Sequence, residues 1–219
     1  MAFDFEWSSS NTALDSTGPR IENQIIAAAF VDNHGNSKVL HLSDFSNSDR
    51  SECELLVSIN QELMKYDFSI GWYSTGVAKY HEDTQEYLDG VDSDLAVLHN
   101  RCLTNGIDSI VDFTNAGIPY LRGQKHIDLH SVFGKPMVQT TIFKNAYRTL
   151  KLDEVSKAVL GDLEAGGKYK GLTGKDIQAL PVEEQKKYVL RDAELVMQLS
   201  KHNNGEVLDA MKSISELQD

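Results

Sequence analysis

The chain has 219 residues, with 21 Lys and Arg against 33 Asp and Glu, a formal net charge of −12, 41% hydrophobic and 25% charged residues. That length suits one α/β-sized domain, and the composition provides a packed core and excludes intrinsic disorder. No apolar run approaches the roughly 18 residues that span a bilayer, and the opening MAFDFEWSSS lacks the basic and apolar regions of a signal peptide, so a cytoplasmic protein is expected.

In chain order, Ala2-Phe3-Asp4-Phe5-Glu6 reads as a strand, and Ile25 to Asp32 (IIAAAFVD) is a continuous apolar run ending in the turn signal Asn33-His34-Gly35-Asn36. With the alternating SKVLHLSDF from Ser37, that run predicts a β-hairpin. Between Cys53 and Tyr66, Leu55, Leu56, Ile59, Leu63 and Met64 recur at helical spacing, with Ser51 as N-cap three residues before Glu54. Asp67 to Tyr73 reads as a short buried strand, and residues 74–92 as a polar, acidic loop. A helix beginning at or near Asp94 places Leu95, Val97, Leu98 and Cys102 on one side and stops at Gly106. KHIDLHSVF reads as extended, with Ile127 and Leu129 alternating with His126, Asp128 and His130. A helix from about Lys151 to Leu160, the Gly- and Lys-rich GGKYKGLTGK, and a last helix after Pro181 carrying Tyr188, Leu190, Ala193, Leu195, Val196 and Leu199 complete the chain. Strands and helices alternate, so the class is α/β or α+β, with no internal repeat and no interdomain linker. Cys53 and Cys102 lie in helical segments without metal-ligand spacing and read as reduced core residues.

Two patterns carry chemistry. Asp4 and Glu6 share one face of a strand, since strand side chains alternate with period 2, and like charges so placed repel unless a cation or proton lies between them. Tyr188 and Asp192 stand one turn apart on one helix face. Each alone has a bland reading, a water-facing edge strand or a surface hydrogen-bonded pair. His126, Asp128 and His130 have the spacing of one strand face, which would suit a zinc site or simply a structural strand. Trp72 and Tyr73, at a strand end, suit base stacking or core packing. Gly166, Gly167 and Gly171, interleaved with Lys168 and Lys170, do not fit a Walker phosphate loop. Charge is uneven: residues 1–121 carry 6 basic and 19 acidic side chains, whereas residues 122–191 carry 13 and 8. This pattern fits a polyanion beside an acidic, cation-binding pocket, or a solvated basic face.

Taken together, AFDFE, a central Asp near a helix start and YVLRD on a late helix resemble the 3′-to-5′ exonuclease domain of family-B DNA polymerases. That domain belongs to the DEDD exonucleases, in the subgroup whose third motif supplies a Tyr. The hairpin, IGWYS, HIDLHSVF and LDEVSKAVLG resemble their counterparts too, so the likeness covers nearly the whole chain. It implies a ribonuclease H-like α/β fold, a central mixed β-sheet flanked by helices, as one exonuclease-like domain over residues 1–219 with an insertion at about 75–92. Asp4 and Glu6 match the first motif, and Tyr188 and Asp192 the third. The family's middle motif, of N-x-x-F-D type, is altered: Tyr73 stands where Asn is expected, and the carboxylate falls at Asp94, with Asp89 and Asp92 as competitors. Trp7 replaces a common Thr after the first motif.

The resemblance implies that Asp4, Glu6, Asp94 and Asp192 hold two divalent cations, Mg²⁺ or Mn²⁺, for in-line phosphodiester displacement. Tyr188 would orient or help deprotonate the attacking water. Phe5, Trp7, Trp72 and Tyr73 are candidate substrate contacts. The expected activity is removal of nucleotides from the 3′ end of single-stranded DNA, with the basic block tracking the strand. The expected partners are single-stranded nucleic acid, DNA over RNA, and replication or repair proteins, with no membrane association. The rivals are an RNA exonuclease of the same group and a catalytically degenerate binding or assembly module.

Overall fold

Period-2 alternation shapes the first strand of the computed structural model, which describes residues 1–8, 24–45, 50–77, 79–81, 86–89, 92–161 and 174–216. β1 (Ala2–Trp7) turns Phe3 and Phe5 to one face of the sheet and Asp4 and Glu6 to the other. It pairs antiparallel with β2 (Ile25–Val31), Asp4 opposite Ala29 and Glu6 opposite Ala27, with an irregularity between Glu6 and Trp7. β2 reads as an unbroken apolar run because both its faces are covered. It turns at residues 32–36, where Gly35 adopts φ 85, into the antiparallel β3 (Ser37–His41).

The central sheet is mixed, in the order β3-β2-β1-β4-β9, with β4 (Phe68–Gly71) parallel to β1 and β9 (Lys125–Asp128) parallel to β4. Helices flank both faces. α1 (Ser51–Leu63) and α2 (Asp94–Thr104) bring Leu55, Leu56, Ile59, Leu95 and Leu98 against Phe3, Phe5 and Phe30. The opposite face meets α3 (Leu129–Phe133), α4 (Leu152–Leu160) and the long α6 (Val182–Glu216). α5 (Gly174–Gln178) precedes α6. There Val189, Ala193 and Val196, spaced i, i+4, i+7, pack into the core that includes Ala2, Ala27 and Ala29. Small residues on the strands let a helix lie close to the sheet over β1, the strand that carries Asp4 and Glu6.

Several elements differ from the expectations above. Arg50 rather than Ser51 occupies the N-cap of α1, without a side-chain cap bond, so the helix starts one residue early. The 74–92 segment is not simply a loop, since it contains the antiparallel pair β5 (Lys79–His81) and β6 (Glu86–Asp89). A second small pair, β7 (Val111–Phe113) and β8 (Pro119–Leu121), and a π-helical turn over Val138–Ile142 are additional to the expected elements. KHIDLHSVF is extended only to Asp128, whose carboxylate accepts the His130 backbone N–H and starts α3. His130 therefore does not share a strand face with His126. Gly166, Gly167, Lys168, Lys170 and Gly171 lie outside the described residues. Cys53 and Cys102 are both free thiols.

Candidate active site

Strand parity and helix periodicity bring the first and third motifs together. On the face of β1 covered by α6, carboxylate oxygens of Asp4, Glu6 and Asp192 lie within 4.8 Å of one another. At that separation each ionised pair repels by about 3 kcal/mol or more for an effective dielectric near 20. Burial adds to the penalty. Desolvation, then the charges of Asp94, Asp192 and Glu6, raise the Asp4 carboxyl well above the usual carboxylate range. Desolvation and Asp192 push Glu6 up to about 8. Asp192 is pushed up to about 7 by burial and by Asp153 of α4, against the opposing pull of the Tyr188 hydroxyl and Arg191. Tyr188, one turn before Asp192, hydrogen-bonds it, and burial together with the surrounding carboxylates drives its phenol far above the ordinary value.

Asp94 is the first residue of α2, after Ser93 in an extended N-cap conformation. It is buried, at 4% exposure, and stands outside the 4.8 Å triad. Desolvation followed by the charges of Glu6, Asp128 and Asp192 raises its pKa well above normal. Asp92 is exposed, and its carboxylate accepts a hydrogen bond from the Tyr73 hydroxyl at 3.3 Å. Asp89 is on β6. Burial and the mutual charge effects with Asp4, Glu6 and Asp192 thus favour Asp94 over Asp92 as the neighbour of the first and third motifs.

A divalent cation fits this donor set. Asp4 Oδ2 and Asp94 Oδ2 are buried without a hydrogen-bond partner, and such orphaned acceptors need a positive partner or a proton. Hard carboxylate oxygens are the donors that Mg²⁺ and Mn²⁺ take.

The candidate substrate contacts divide. Phe5 is 2% exposed, inside the α1/α2 core, and Trp7 packs against that same core, so both point away from the carboxylates. Trp72 is 8% exposed, belongs to the α6-side core, and donates its indole N–H to the Leu150 carbonyl at 3.2 Å. Phe5 and Trp72 are core residues and Trp7 packs at the core's edge, because the alternation that aims Asp4 and Glu6 at the site aims Phe5 and Trp7 elsewhere, and Trp72 finds the Leu150 carbonyl. Tyr73 is 40% exposed, with φ 54, its ring edge-on to His130 at 5.0 Å. The histidines do not form a zinc site: His126 is half-buried with Nδ1 2.9 Å from Ser69 Oγ and Nε2 2.8 Å from Ser74 Oγ, and desolvation pushes it down to about 4. Part of the basic block is held in local ion pairs, Lys186 with Asp44 and Lys187 with Glu184.

Asp128 and Asp153 are further acidic neighbours of the site, by their charges on Asp94 and Asp192. The strand-to-helix switch at Asp128 was the available signal, because a buried Asp at that junction caps the helix. Asp153 follows Leu152 on an amphipathic helix and left no signal of its own.

No family model matches the chain. A DNA polymerase 1 from Sulfolobus acidocaldarius is 28% identical over 99% of this chain and 24% of its own length. A DNA polymerase 1 from Saccharolobus solfataricus is 30% identical over 84% of this chain and 20% of its own. Among solved structures, the family B DNA polymerase from Pyrobaculum calidifontis superposes with a TM-score of 0.63 at 14% identity, covering 91% of this chain and 24% of that one, a likeness of fold. The chain spans about a quarter or less of the length of these proteins.

Proposed function

This chain is a homologue of the archaeal family-B DNA polymerases over most of its length, and on that premise we propose that it is a metal-dependent 3′-to-5′ exonuclease acting on single-stranded DNA. The carrying observation is the convergence of Asp4, Glu6 and Asp192 within 4.8 Å, with Asp94 and Tyr188 beside them. Residues 1–219 are read as one exonuclease-like domain, with residues of about 75–92 as an insertion.

Asp4, Glu6, Asp94 and Asp192 would hold the cations, which when bound supply charge neutralisation and an activated water for in-line displacement at a phosphodiester. Desolvation of these carboxyl groups, with Asp94 buried and Glu6 and Asp192 half-buried, sets the chemistry. Without a cation, protons are favoured on them, so binding metal displaces protons. Tyr188 remains a phenol at neutral pH because its pKa is raised. Its hydroxyl is placed to orient the attacking water by hydrogen bonding. Its bond to Asp192 fixes the direction of that hydroxyl. Tyr73, exposed at the end of β4, offers a stacking face for a base of the incoming strand.

The reading is tested with Mn²⁺ and matched DNA and RNA single strands labelled at the 3′ or the 5′ end. Early release of the 3′ label, with DNA cut faster than RNA, is the expected result. Preference for RNA favours the rival substrate, since the 2′-OH is the discriminating group. No cleavage of either favours a degenerate module.

A further inference from the structure

Asp128 occupies the junction between β9 and α3, and its carboxylate is fully engaged. Oδ1 accepts the backbone N–H of Tyr73 at 2.9 Å and of His130 at 3.0 Å. Oδ2 accepts the backbone N–H and the hydroxyl of Thr75, both at 2.9 Å. A carboxylate offers about four acceptor sites, so this one has little capacity left for a cation, in contrast to the unpartnered Oδ2 atoms of Asp4 and Asp94.

The bonds converge on the turn that follows β4. Tyr73 there takes φ 54, a left-handed conformation that a bulky residue keeps only when its surroundings hold it. Ser74, between the two clasped residues, has its hydroxyl 2.8 Å from His126 Nε2 and sits so close to Gly71 that a Cβ there would be 2.6 Å from Ser74 Oγ. The Ser74 carbonyl in turn accepts the backbone N–H of Leu95 at 3.2 Å, in the first turn of α2. The turn also lies tightly against the N-cap of α2, since a Cβ on Gly76 would be 3.1 Å from Ser93 Cβ. A continuous set of contacts thus runs from Asp128 through residues 73–76 to Ser93 and the Leu95 backbone N–H, the two neighbours of Asp94.

We propose that Asp128 is a positioning residue, which through the 73–76 turn fixes the start of α2 so that Asp94 presents its carboxylate to the cation site. The inference rests on the reading of Asp94 as a metal ligand. It gives a physical role to a part of the chain where the family's middle motif is altered. Residues that orient metal ligands without touching the metal affect affinity by about 10- to 100-fold.

Asp128→Asn is the direct test, because an amide nitrogen facing backbone N–H groups and the Thr75 hydroxyl forfeits acceptors at an unchanged volume. Mn²⁺ binding is followed by calorimetry on the full chain. In the metal-free protein, amide exchange at Tyr73, Thr75 and Leu95 is followed by NMR. The expected result is Mn²⁺ affinity weakened at least 10-fold, with faster exchange at all three amides. Thr75→Val, which removes one of the donors and is the variant to use if Asp128→Asn does not fold, should weaken affinity in the same direction by a smaller factor. A folded Asp128→Asn protein with wild-type Mn²⁺ affinity, or with unchanged exchange at Leu95, overturns the proposal. So does wild-type affinity in Thr75→Val should Asp128→Asn fail to fold. Wild-type protein that binds Mn²⁺ in an Asp94-dependent way without cutting any strand contradicts the nuclease reading alone, and these two readouts still support or overturn the positioning role. Absence of Mn²⁺ binding by the wild type overturns both.

Discussion

Asp4 and Phe5 are chain neighbours with opposite fates, and the contrast is testable. Asp4 carries a buried oxygen without a partner in a repulsive cluster, so Asp4→Ala should abolish Mn²⁺-dependent cleavage without lowering the urea midpoint of the metal-free protein. Phe5 fills the core between Phe3 and Phe30, 5.0 and 6.2 Å away by ring centroid, and Phe5→Ala should cost about 3–5 kcal/mol of stability. Tyr188→Phe should preserve stability and Mn²⁺ binding while slowing cleavage by roughly 10²-fold or more. An unchanged rate would make Tyr188 a packing residue. The cluster also predicts a pH effect. Glu6 titrates at about 8 in the fold against an ordinary 4.5, so between these values the folded chain holds more protons than the unfolded one and loses stability as pH rises. The stability difference between wild type and Glu6→Gln, measured in EDTA, should therefore shift against the wild type from pH 5 to pH 8, a comparison that cancels titrating groups remote from the cluster. A pH-independent difference would mean that Glu6 is not buried among the carboxylates.

Among the elements, α2 and the long α6 do most to define the site. Asp94 is held on a helix anchored by Leu95, Leu98 and Cys102, whereas Asp92 is exposed before its start. Asp94→Asn should remove most cleavage, and Asp92→Asn should leave it within a few-fold of wild type, as measured by initial rates at saturating Mn²⁺. Reversal of these two results would place the middle ligand two residues earlier. Which elements were legible follows from their length. β1 and α6 declared their functional faces because periods of 2 and 3.6 repeat over enough residues to be seen. The pairs β5–β6 and β7–β8 use strands of three or four residues, too short for alternation to emerge. The change from strand to helix at Asp128 was hidden because Ile127 and Leu129 also satisfy an alternating pattern, and only the side-chain cap distinguishes them.

At the scale of the whole molecule, a mixed sheet separates two cores, and the carboxylates open onto the α6 side. The mixed sheet flanked by helices and the pairing of the first and third motifs could be inferred from the sequence through its resemblance, whereas the strand order could not. The core positions of Phe5 and Trp72 and the packing of Trp7 against the core could not, since an aromatic beside a motif looks the same whether it faces a base or a leucine. The basic stretch from Arg122 to Arg191 is partly neutralised by local ion pairs. The measurement that bears most directly on the function follows one single-stranded DNA, labelled at its 3′ end in one reaction and at its 5′ end in another, with Mn²⁺ and either wild-type chain or Asp4→Ala. A 3′-to-5′ exonuclease built on this cluster releases the 3′ label as mononucleotide from the outset, shortens the 5′-labelled strand stepwise, and does neither with Asp4→Ala. Release of the 5′ label first, or equal cleavage by Asp4→Ala, would contradict it.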